Sequence, residues 1–330
     1  MAARALVLGI TGQDGSYLTE FLLKKNYEVI GLTRSETSPA ALKWRKIADE
    51  AGETATLIEV DYEDYRSVMD VIISVNPDEV YNLASQSSVA SSFQQPVATL
   101  HINGVITLAV LEACRELTKR GQPRLFQAST SEMFGKAQSY PQTEQTPFHP
   151  LSPYACSKVY AYHQTINYRE AYGLFACNGI MFNHESPRRP ERFVTRKITA
   201  AAAQIAAGLR DHVTLGNLDV GRDWGFAKDY VDAMWRMLQH HEPDDYVIAT
   251  NQWHTLEELL ERAFRRVGLN WHDFVRQDPA LMRPTEVTRL QGDYSKAHNI
   301  LGWEPLIKFD QLIDMMVDVD VSLVEANCTS

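Results

Sequence analysis

Two stretches of this chain carry residue types whose spacing suits proton and hydride chemistry. In Ser152-Pro-Tyr-Ala-Cys-Ser-Lys158, Tyr154 and Lys158 stand four positions apart. Ser152 suits a helix N-cap and Pro153 the first helical position, so the two side chains share one helical face. A free phenol titrates at about 10, and a nearby ammonium favours the phenolate by charge. Bringing it to about 7 takes about 4 kcal/mol of differential stabilisation at roughly 1.4 kcal/mol per unit. A lysine and a nicotinamide ring together can supply that. The plain alternative is a packing or surface tyrosine that happens to precede a lysine. Upstream, a strand at Leu125–Ala128 runs into Ser129-Thr-Ser-Glu-Met-Phe-Gly135. Thr130 and Glu132 alternate onto one side if the extended conformation persists. A hydroxyl serves a simple dehydrogenase; a carboxylate beside it points to further acid–base work. The other reading of Glu132 is a helix-start or loop carboxylate.

Residues of this kind need a cofactor and a frame. Leu6-Val-Leu-Gly-Ile-Thr-Gly-Gln-Asp-Gly15 is a short apolar strand running into glycines 9, 12 and 15. A helix follows with Tyr17, Leu18, Phe21 and Leu22 on one face, then a second strand at Tyr27–Leu32. One glycine permits the tight turn, one lets backbone approach a pyrophosphate, and one lets helix and strand pack closely. The free N–H groups of the helix start then receive phosphate charge. Strand, turn, helix and strand in this order read as dinucleotide binding rather than an ordinary turn.

The frame is an α/β, doubly wound parallel sheet. Ala5–Leu8, Glu28–Leu32, Ala55–Val60, Glu79–Leu83, Arg124–Ala128, Ala176–Phe182 and Asp245–Ala249 read as strands. Helical periods fall between them, for example Tyr65–Val75 and Ile106–Leu117. Residues 1–182 are expected to form the dinucleotide-binding half, with a returning strand near 223–250. Residues 183–222, with a small-residue helix at Lys197–Gly208, and 251–330 are expected to form a smaller, mostly helical lobe. That lobe would cap the sheet's C-terminal edge and bind substrate. Arg188, Arg189, Arg196, Lys197 and Arg222 crowd into this part of an otherwise acidic chain, and two substrate phosphates need cations. Arg188–Arg189 also reads as a solvated surface pair.

The 330 residues are 45% apolar, enough for a packed core, and carry a net charge of −10. That charge argues against nucleic acid as a partner. No run of about 18 apolar residues exists, so no transmembrane helix and no membrane partner is expected. The chain opens into a strand, without a basic-then-apolar signal segment. Cys114, Cys156, Cys177 and Cys328 lie far apart and form no C-x-x-C pair, so they read as reduced thiols in a cytoplasmic protein. No metal site is expected.

The Gly-x-x-Gly-x-x-Gly spacing is similar to that of extended short-chain dehydrogenase/reductases. Within them the chain resembles the GDP-mannose 4,6-dehydratase family over nearly its whole length. The stretches that carry the resemblance are Gly9-Ile-Thr-Gly-Gln-Asp-Gly-Ser-Tyr-Leu18, Val80-Tyr-Asn-Leu-Ala-Ser-Gln-Ser87, Gln127-Ala-Ser-Thr-Ser-Glu132 and Asn167-Tyr-Arg-Glu-Ala-Tyr-Gly173. Further along are Phe182-Asn-His-Glu-Ser-Pro-Arg-Arg189, Phe193-Val-Thr-Arg-Lys-Ile198, Leu215-Gly-Asn-Leu-Asp219 and Arg222-Asp-Trp-Gly-Phe-Ala-Lys-Asp-Tyr-Val231, with Arg283-Pro-Thr-Glu286 and Leu301-Gly-Trp303 closing the set. The resemblance implies a Rossmann-like fold and a catalytic set of Thr130, Glu132, Tyr154 and Lys158. It implies NADP as cofactor, held by Gly9, Thr11, Gly12, Gln13, Asp14 and Gly15 at the pyrophosphate. Arg34 and Ser35 would meet the 2′-phosphate, Asp61 and Tyr62 the adenine, and Leu83, Ala84 and Ser85 the nicotinamide-side ribose. Tyr154, Lys158, His184 and Arg189 complete the cofactor set, with His184 orienting its loop rather than ligating metal. Ser87, Glu132, Asn183, Lys197, Gly216, Asn217, Arg222, Arg283 and Glu286 would hold a GDP-sugar. A homodimer or homotetramer is implied.

The implied reaction is dehydration of a GDP-hexose, GDP-mannose first, to a GDP-4-keto-6-deoxyhexose and water. Three departures from the family pattern bear on it. Thr33-Arg-Ser-Glu keeps one arginine, Arg34, where two adjacent ones are usual. Ser35 can donate in its place, and no acidic residue ends the strand, which favours NADP over NAD. Ser88 stands where histidine or phenylalanine is usual, and Ser85 where alanine is. Both changes bear on the size and polarity of the sugar pocket, and a GDP-heptose 4,6-dehydratase would share every motif. A 4-keto nucleotide-sugar reductase or epimerase needs Tyr154 and Lys158 but no base at Glu132. A non-catalytic nucleotide sensor would have lost Tyr154 or Lys158, and both are present.

Overall fold

The computed structural model describes residues 2–51, 55–119, 121–282 and 284–328. The chain begins with β1 (Arg4–Leu8), α1 (Gln13–Leu23), β2 (Glu28–Thr33), α2 (Pro39–Glu50), β3 (Ala55–Glu59), α3 (Tyr65–Val75) and β4 (Glu79–Asn82). Short helices α4 (Val89–Gln94) and α5 (Pro96–Leu100) lead through a π-turn at His101–Val105 into α6 (Ile106–Leu117). Next come β5 (Arg124–Thr130), α7 (Pro153–Tyr172), β6 (Ala176–Met181) and β7 (Asn183–Glu185). Then follow α8 (Val194–Ala206), β8 (Val213–Leu215), β9 (Gly221–Arg222), β10 (Trp224–Phe226), α9 (Ala227–Gln239) and β11 (Asp245–Ile248). The last elements are β12 (His254–Thr255), α10 (Leu256–Arg266), β13 (Val275–Gln277), α11 (Ser295–Leu301) and α12 (Phe309–Cys328).

Seven strands form one parallel sheet in the order β3-β2-β1-β4-β5-β6-β11. It is doubly wound and Rossmann-like. Period-2 alternation sorts its residues onto two faces: Ala5 and Val7 pack with α1, α2 and α9, whereas Leu6 and Leu8 pack with α3 and α6. Both faces are covered, so the strands read as continuous apolar runs. Every strand expected from the sequence is present, with ends shifted by one or two residues. The small strands β7 to β10, β12 and β13 are two or three residues long, too short for alternation to reveal.

The smaller pairings set the second half of the chain. β7 pairs with β10, β9 with β12 and β8 with β13. Helices α8, α10 and α12 pack together and share their core with α1 and α9. Arg196 on α8 is buried against Asp320 on α12. Its expected place among the phosphate cations is therefore corrected: its charge is neutralised inside the lobe.

The helical run Pro96–Leu117 is 22 residues long with mean hydropathy 1.6, apolar enough by length and composition to cross a membrane. Thr99, His101, Asn103 and Thr107 interrupt it, so a search for an unbroken apolar run passes over it. Just over half of the apolar window is buried, and α6 packs on α3 and α7, which accounts for its apolarity as that of a core helix.

The edge strand β11 is held by Asp245. Its carboxylate accepts from Arg169 of α7 at 2.9 and 3.0 Å, from the Tyr162 hydroxyl at 3.0 Å and from the Asn178 amide at 3.0 Å. We expect Asp245→Ala to lower the unfolding free energy by about 3–5 kcal/mol, because it leaves the largely buried Arg169 with only the Ala176 carbonyl and no countercharge. Urea unfolding measures this, and a loss under about 1 kcal/mol would show the network to be incidental.

Candidate active site

The sheet reverses its winding between β1 and β4, and a ligand crevice opens beyond the C-terminal ends of these strands. The expected site residues leave the strands at this edge. Gly9 has φ +76, and a Cβ there would lie 2.8 Å from the Leu83 carbonyl carbon. Gly15 packs so closely that a Cβ would come within 2.4 Å of the Ile10 carbonyl oxygen. Gly12 is the exposed N-cap of α1, and no side chain caps that helix. Gly9 thus makes the turn, Gly15 permits close packing, and Gly12 leaves the helix start open. Thr11 completes the turn. An uncapped helix start bordered by glycine backbone fits the diphosphate of a dinucleotide.

The flanks of the crevice also fit such a ligand. Tyr62 is buried beside Gly9, and its hydroxyl donates to the Leu32 carbonyl at 3.4 Å. Arg34 is exposed just beyond β2, with Ser35 next to it, and Asp61 is exposed just before Tyr62. Leu83, Ala84 and Ser85 follow β4 directly.

Gln13 and Asp14 bond the segment that follows β6. Asp14 Oδ2 lies 2.9 Å from His184 Nε2, and His184 Nδ1 lies 2.7 Å from the Phe182 carbonyl. Gln13 bonds the His184 carbonyl at 3.1 Å and the Ser186 hydroxyl at 2.8 Å. Burial opposes both charges, yet each partner outweighs it: Asp14 is held below and His184 above its ordinary pKa. The ring of His184 also stacks on Tyr230, with centroids 4.7 Å apart. Its role in orienting the loop is visible in these contacts. Arg188 reaches Glu20 and Ser16 on α1 and lies over Tyr17, while Arg189 pairs with the buried Glu185 at 3.1 Å and stacks on Phe193. Neither arginine belongs to a solvated surface pair.

Ser152 caps α7 through the Ala155 amide at 3.0 Å, and Pro153 opens the helix. Tyr154 and Lys158 are both buried. Burial pushes the Tyr154 phenol up to about 12, countered by a hydrogen bond with the Thr130 hydroxyl and by Arg189, with Glu132 acting against them. Burial lowers Lys158 to about 8, and its ammonium donates to the Ala128 carbonyl at 2.8 Å. The extended run does not persist to Glu132, which corrects that expectation. β5 stops at Thr130, whose Oγ1 accepts from the Glu132 amide at 3.3 Å and starts a 3₁₀ turn over Ser131–Met133. The turn still brings Glu132 into the field of Tyr154. Opposite, Arg222 lies with Nη2 3.7 Å from the carboxylates of both Glu132 and Glu286. Its Nη1 donates to the Gly221 and Val287 carbonyls at 2.9 and 2.7 Å.

Other expected substrate residues gather on the second half. Lys197 donates to the Thr214 carbonyl at 2.6 Å, a Cβ on Gly216 would lie 2.8 Å from the Leu281 carbonyl oxygen, and Asn217 closes a turn by accepting from the Asp219 amide at 2.9 Å. Asn183 begins β7, and Ser87 lies in the loop after β4. Arg283 lies outside the described residues. The two serine departures have structural employment: Ser88 caps α4, and the Ser85 hydroxyl donates to Asn103 Oδ1 at 3.0 Å. Asn103 is a residue that the sequence reading missed. It sits in the π-turn, fully buried, and bonds the Gln86 amide at 3.0 Å and the Ser157 hydroxyl at 3.0 Å, tying the crevice loop to the catalytic helix. Its signal was a polar side chain inside an apolar helical run.

Comparison with known proteins agrees with this geometry. The family model described as GDP-mannose 4,6 dehydratase matches residues 6–316. The chain is 53% identical over 327 residues to GDP-mannose 4,6 dehydratase 2 of Arabidopsis thaliana, covering 97% of this chain and 87% of that protein. Among solved structures, RMD from Pseudomonas aeruginosa complexed with NADPH is similar at TM-score 0.78 and 25% identity, covering 98% of this chain and 100% of that one. UDP-glucose 4-epimerase of Thermus thermophilus, in complex with NAD, is similar at TM-score 0.82 and 27% identity, covering 96% and 98%. The chain belongs to the GDP-mannose 4,6-dehydratase family and is an enzyme of the hydro-lyase kind.

Burying Lys158 costs stability while its ammonium is charged. Its folded pKa of about 8 lies below the ordinary 10.5, so the folded state holds the proton less tightly than the unfolded one. We expect Lys158→Met to abolish turnover yet raise the Tm of the ligand-free protein at pH 7 by about 2–5 °C. The gap to wild type should close as pH rises from about 8 to 10.5, where Lys158 becomes neutral in both states. Calorimetry across pH tests this; a variant with lower Tm at pH 7 contradicts it.

Proposed function

From membership of this family, we propose that the chain dehydrates GDP-mannose to a GDP-4-keto-6-deoxyhexose, with NADP as its cofactor. The observation that carries the reading is a carboxylate, Glu132, in the same pocket as the Thr130–Tyr154 pair and facing Arg222. A redox site that only reduces or oxidises needs no second base there.

A nicotinamide cofactor supplies hydride acceptance and return. The residues of the chain supply everything else. Thr130 and Tyr154 meet the C4 hydroxyl, and Tyr154 takes its proton as C4 becomes a ketone. Tyr154 lies in the first turn of α7, where the helix dipole favours its phenolate. The cationic ring of the cofactor and the charge of Lys158 act in the same sense against burial. The new ketone acidifies the C5 proton. Glu132 is placed to remove it and to protonate the C6 hydroxyl, which leaves as water; when hydride returns to C6, C5 takes up a proton, balanced by the one Tyr154 removed from the C4 hydroxyl. Arg222, Lys197 and Asn217 meet the nucleotide diphosphate and sugar. In this reading residues 1–182 with 223–250 bind the cofactor, and 183–222 with 251–330 bind the nucleotide-sugar.

NADP rather than NAD is supported by Arg34, exposed beyond β2, and by the absence of a carboxylate at the end of that strand, which closes on Thr33. A homodimer or homotetramer is supported by an exposed apolar patch of Val97, Leu100, Val105 and Tyr160, of which Leu100 and Tyr160 meet around Gly104.

Two outcomes follow. Glu132→Gln keeps shape but cannot accept the C5 proton, so oxidation at C4 should proceed while elimination stalls. Mixing the NADP-loaded variant with GDP-mannose should build up absorbance of the reduced nicotinamide, with release of 4-keto-6-deoxy product falling by about 10²–10⁴-fold. Near-wild-type product formation would mean that the base is elsewhere, and net consumption of one NADPH per product would mark a reductase. Arg34→Ala should lose most of the preference for NADP over NAD, by removing a charge-assisted contact to the 2′-phosphate. Equal affinity of the wild type for both cofactors would refute that assignment.

A further inference from the structure

Next to Arg222 stands a fully buried carboxylate that the reaction does not use. Asp223 joins β9 to β10, at the point where the chain passes from pairing with β12 to pairing with β7. Its Oδ1 accepts from the Thr250 amide at 2.8 Å and the Thr250 hydroxyl at 2.6 Å, and its Oδ2 from the Gly292 amide at 3.3 Å. The Asn251 amide adds a further bond. Burial pushes this carboxyl up to about 6 while these donors pull it down, and every hydrogen bond it makes is one in which it accepts.

The neighbouring residues hold the same segment. The Gly221 amide donates to the Thr288 carbonyl at 3.0 Å, and Arg222 donates to the Val287 carbonyl at 2.7 Å. Residues 221, 222 and 223 therefore fasten the stretch from Glu286 to Gly292 along their length. Glu286, at its start, faces the Arg222 guanidinium. Asp223 supplies the last fastening and adds the end of β11.

We propose that Asp223 is a positioning residue for Arg222, setting the guanidinium between Glu132 and Glu286 by tying β9, the end of β11 and the 286–292 segment to one buried carboxylate. The proposal rests on the reading of Arg222 as a cation that meets the nucleotide-sugar. Without these bonds the backbone of Arg222 and the carbonyl that orients its guanidinium can move apart. Binding of the nucleotide should suffer, and binding of the cofactor, which lies beyond β1 and β4, should not.

The test is calorimetric titration of GDP, with NADPH binding followed by fluorescence, on the full chain. Asp223→Asn leaves amide hydrogens against amide donors and should weaken GDP about tenfold. Its NADPH affinity should stay within about twofold, within the usual additivity error. Thr250→Val removes one donor and should weaken GDP in the same direction by a smaller factor; it decides the matter if Asp223→Asn does not fold. The sharper measure is a cycle with Arg222→Ala. If Asp223 acts through Arg222, Arg222→Ala/Asp223→Asn binds GDP no more weakly than Arg222→Ala alone. Losses that multiply, equal losses for GDP and NADPH, or unchanged GDP affinity in the folded variants overturn the proposal. A wild type that fails to bind GDP overturns the reading of the site, and the proposal with it.

Discussion

A partly buried ion pair, Asp14 with His184, joins the turn that opens α1 to the segment that follows β6. Around it Gln13 bonds Ser186 and Arg188 reaches Glu20, so the 183–189 segment and the start of α1 move as one body. Much of the site depends on this contact. It fastens the glycine turn to the segment that carries Asn183 and Arg189, and the charge of Arg189 acts on Tyr154. It also resolves an electrostatic difficulty. A carboxylate in the first turn of a helix that met phosphate would repel it; here Asp14 is paired with His184, whose pKa it raises.

The catalytic pair is placed at a cost to stability. Burial disfavours the charged form of both Tyr154 and Lys158; at neutral pH the phenol stays protonated, and the Lys158 ammonium alone bears that cost. In the proposed mechanism the cationic ring of a bound cofactor would favour the Tyr154 phenolate by charge. Lys158 serves as well by fixing the Ala128 carbonyl, which holds the end of β5 where Thr130 begins.

The hydroxyls of Ser85 and Ser88 show how a departure from a family pattern acquires a different meaning once neighbours are known. Read alone, two small polar residues beside the nicotinamide and sugar enlarge or repolarise a pocket. In the fold both are committed, Ser88 to the start of α4 and Ser85 to Asn103. The missing bulk of the usual residue at 88 is real, but the polarity is taken up by backbone and by a buried amide.

The amino-acid sequence by itself determined the parallel sheet, the glycine turn and the Tyr154–Lys158 face. Each of these is a local, periodic matter: alternation for strands, four-residue spacing for a helix face, and a backbone that only glycine adopts at Gly9. The resemblance of long motifs then pointed to a family and to most of the site. Tertiary structure alone decided which charges remain for substrate. Arg196 is consumed by Asp320, Arg188 by Glu20, and Asp14 by His184, partners that lie 124, 168 and 170 positions away along the chain. It also decided that β5 ends at Thr130, that Asn103 ties the loop after β4 to α7, and that Asp223 holds Thr250 and Gly292 beside Arg222. Pairings of this kind carry no period and no local signature, because they depend on which surfaces the folded sheet brings face to face.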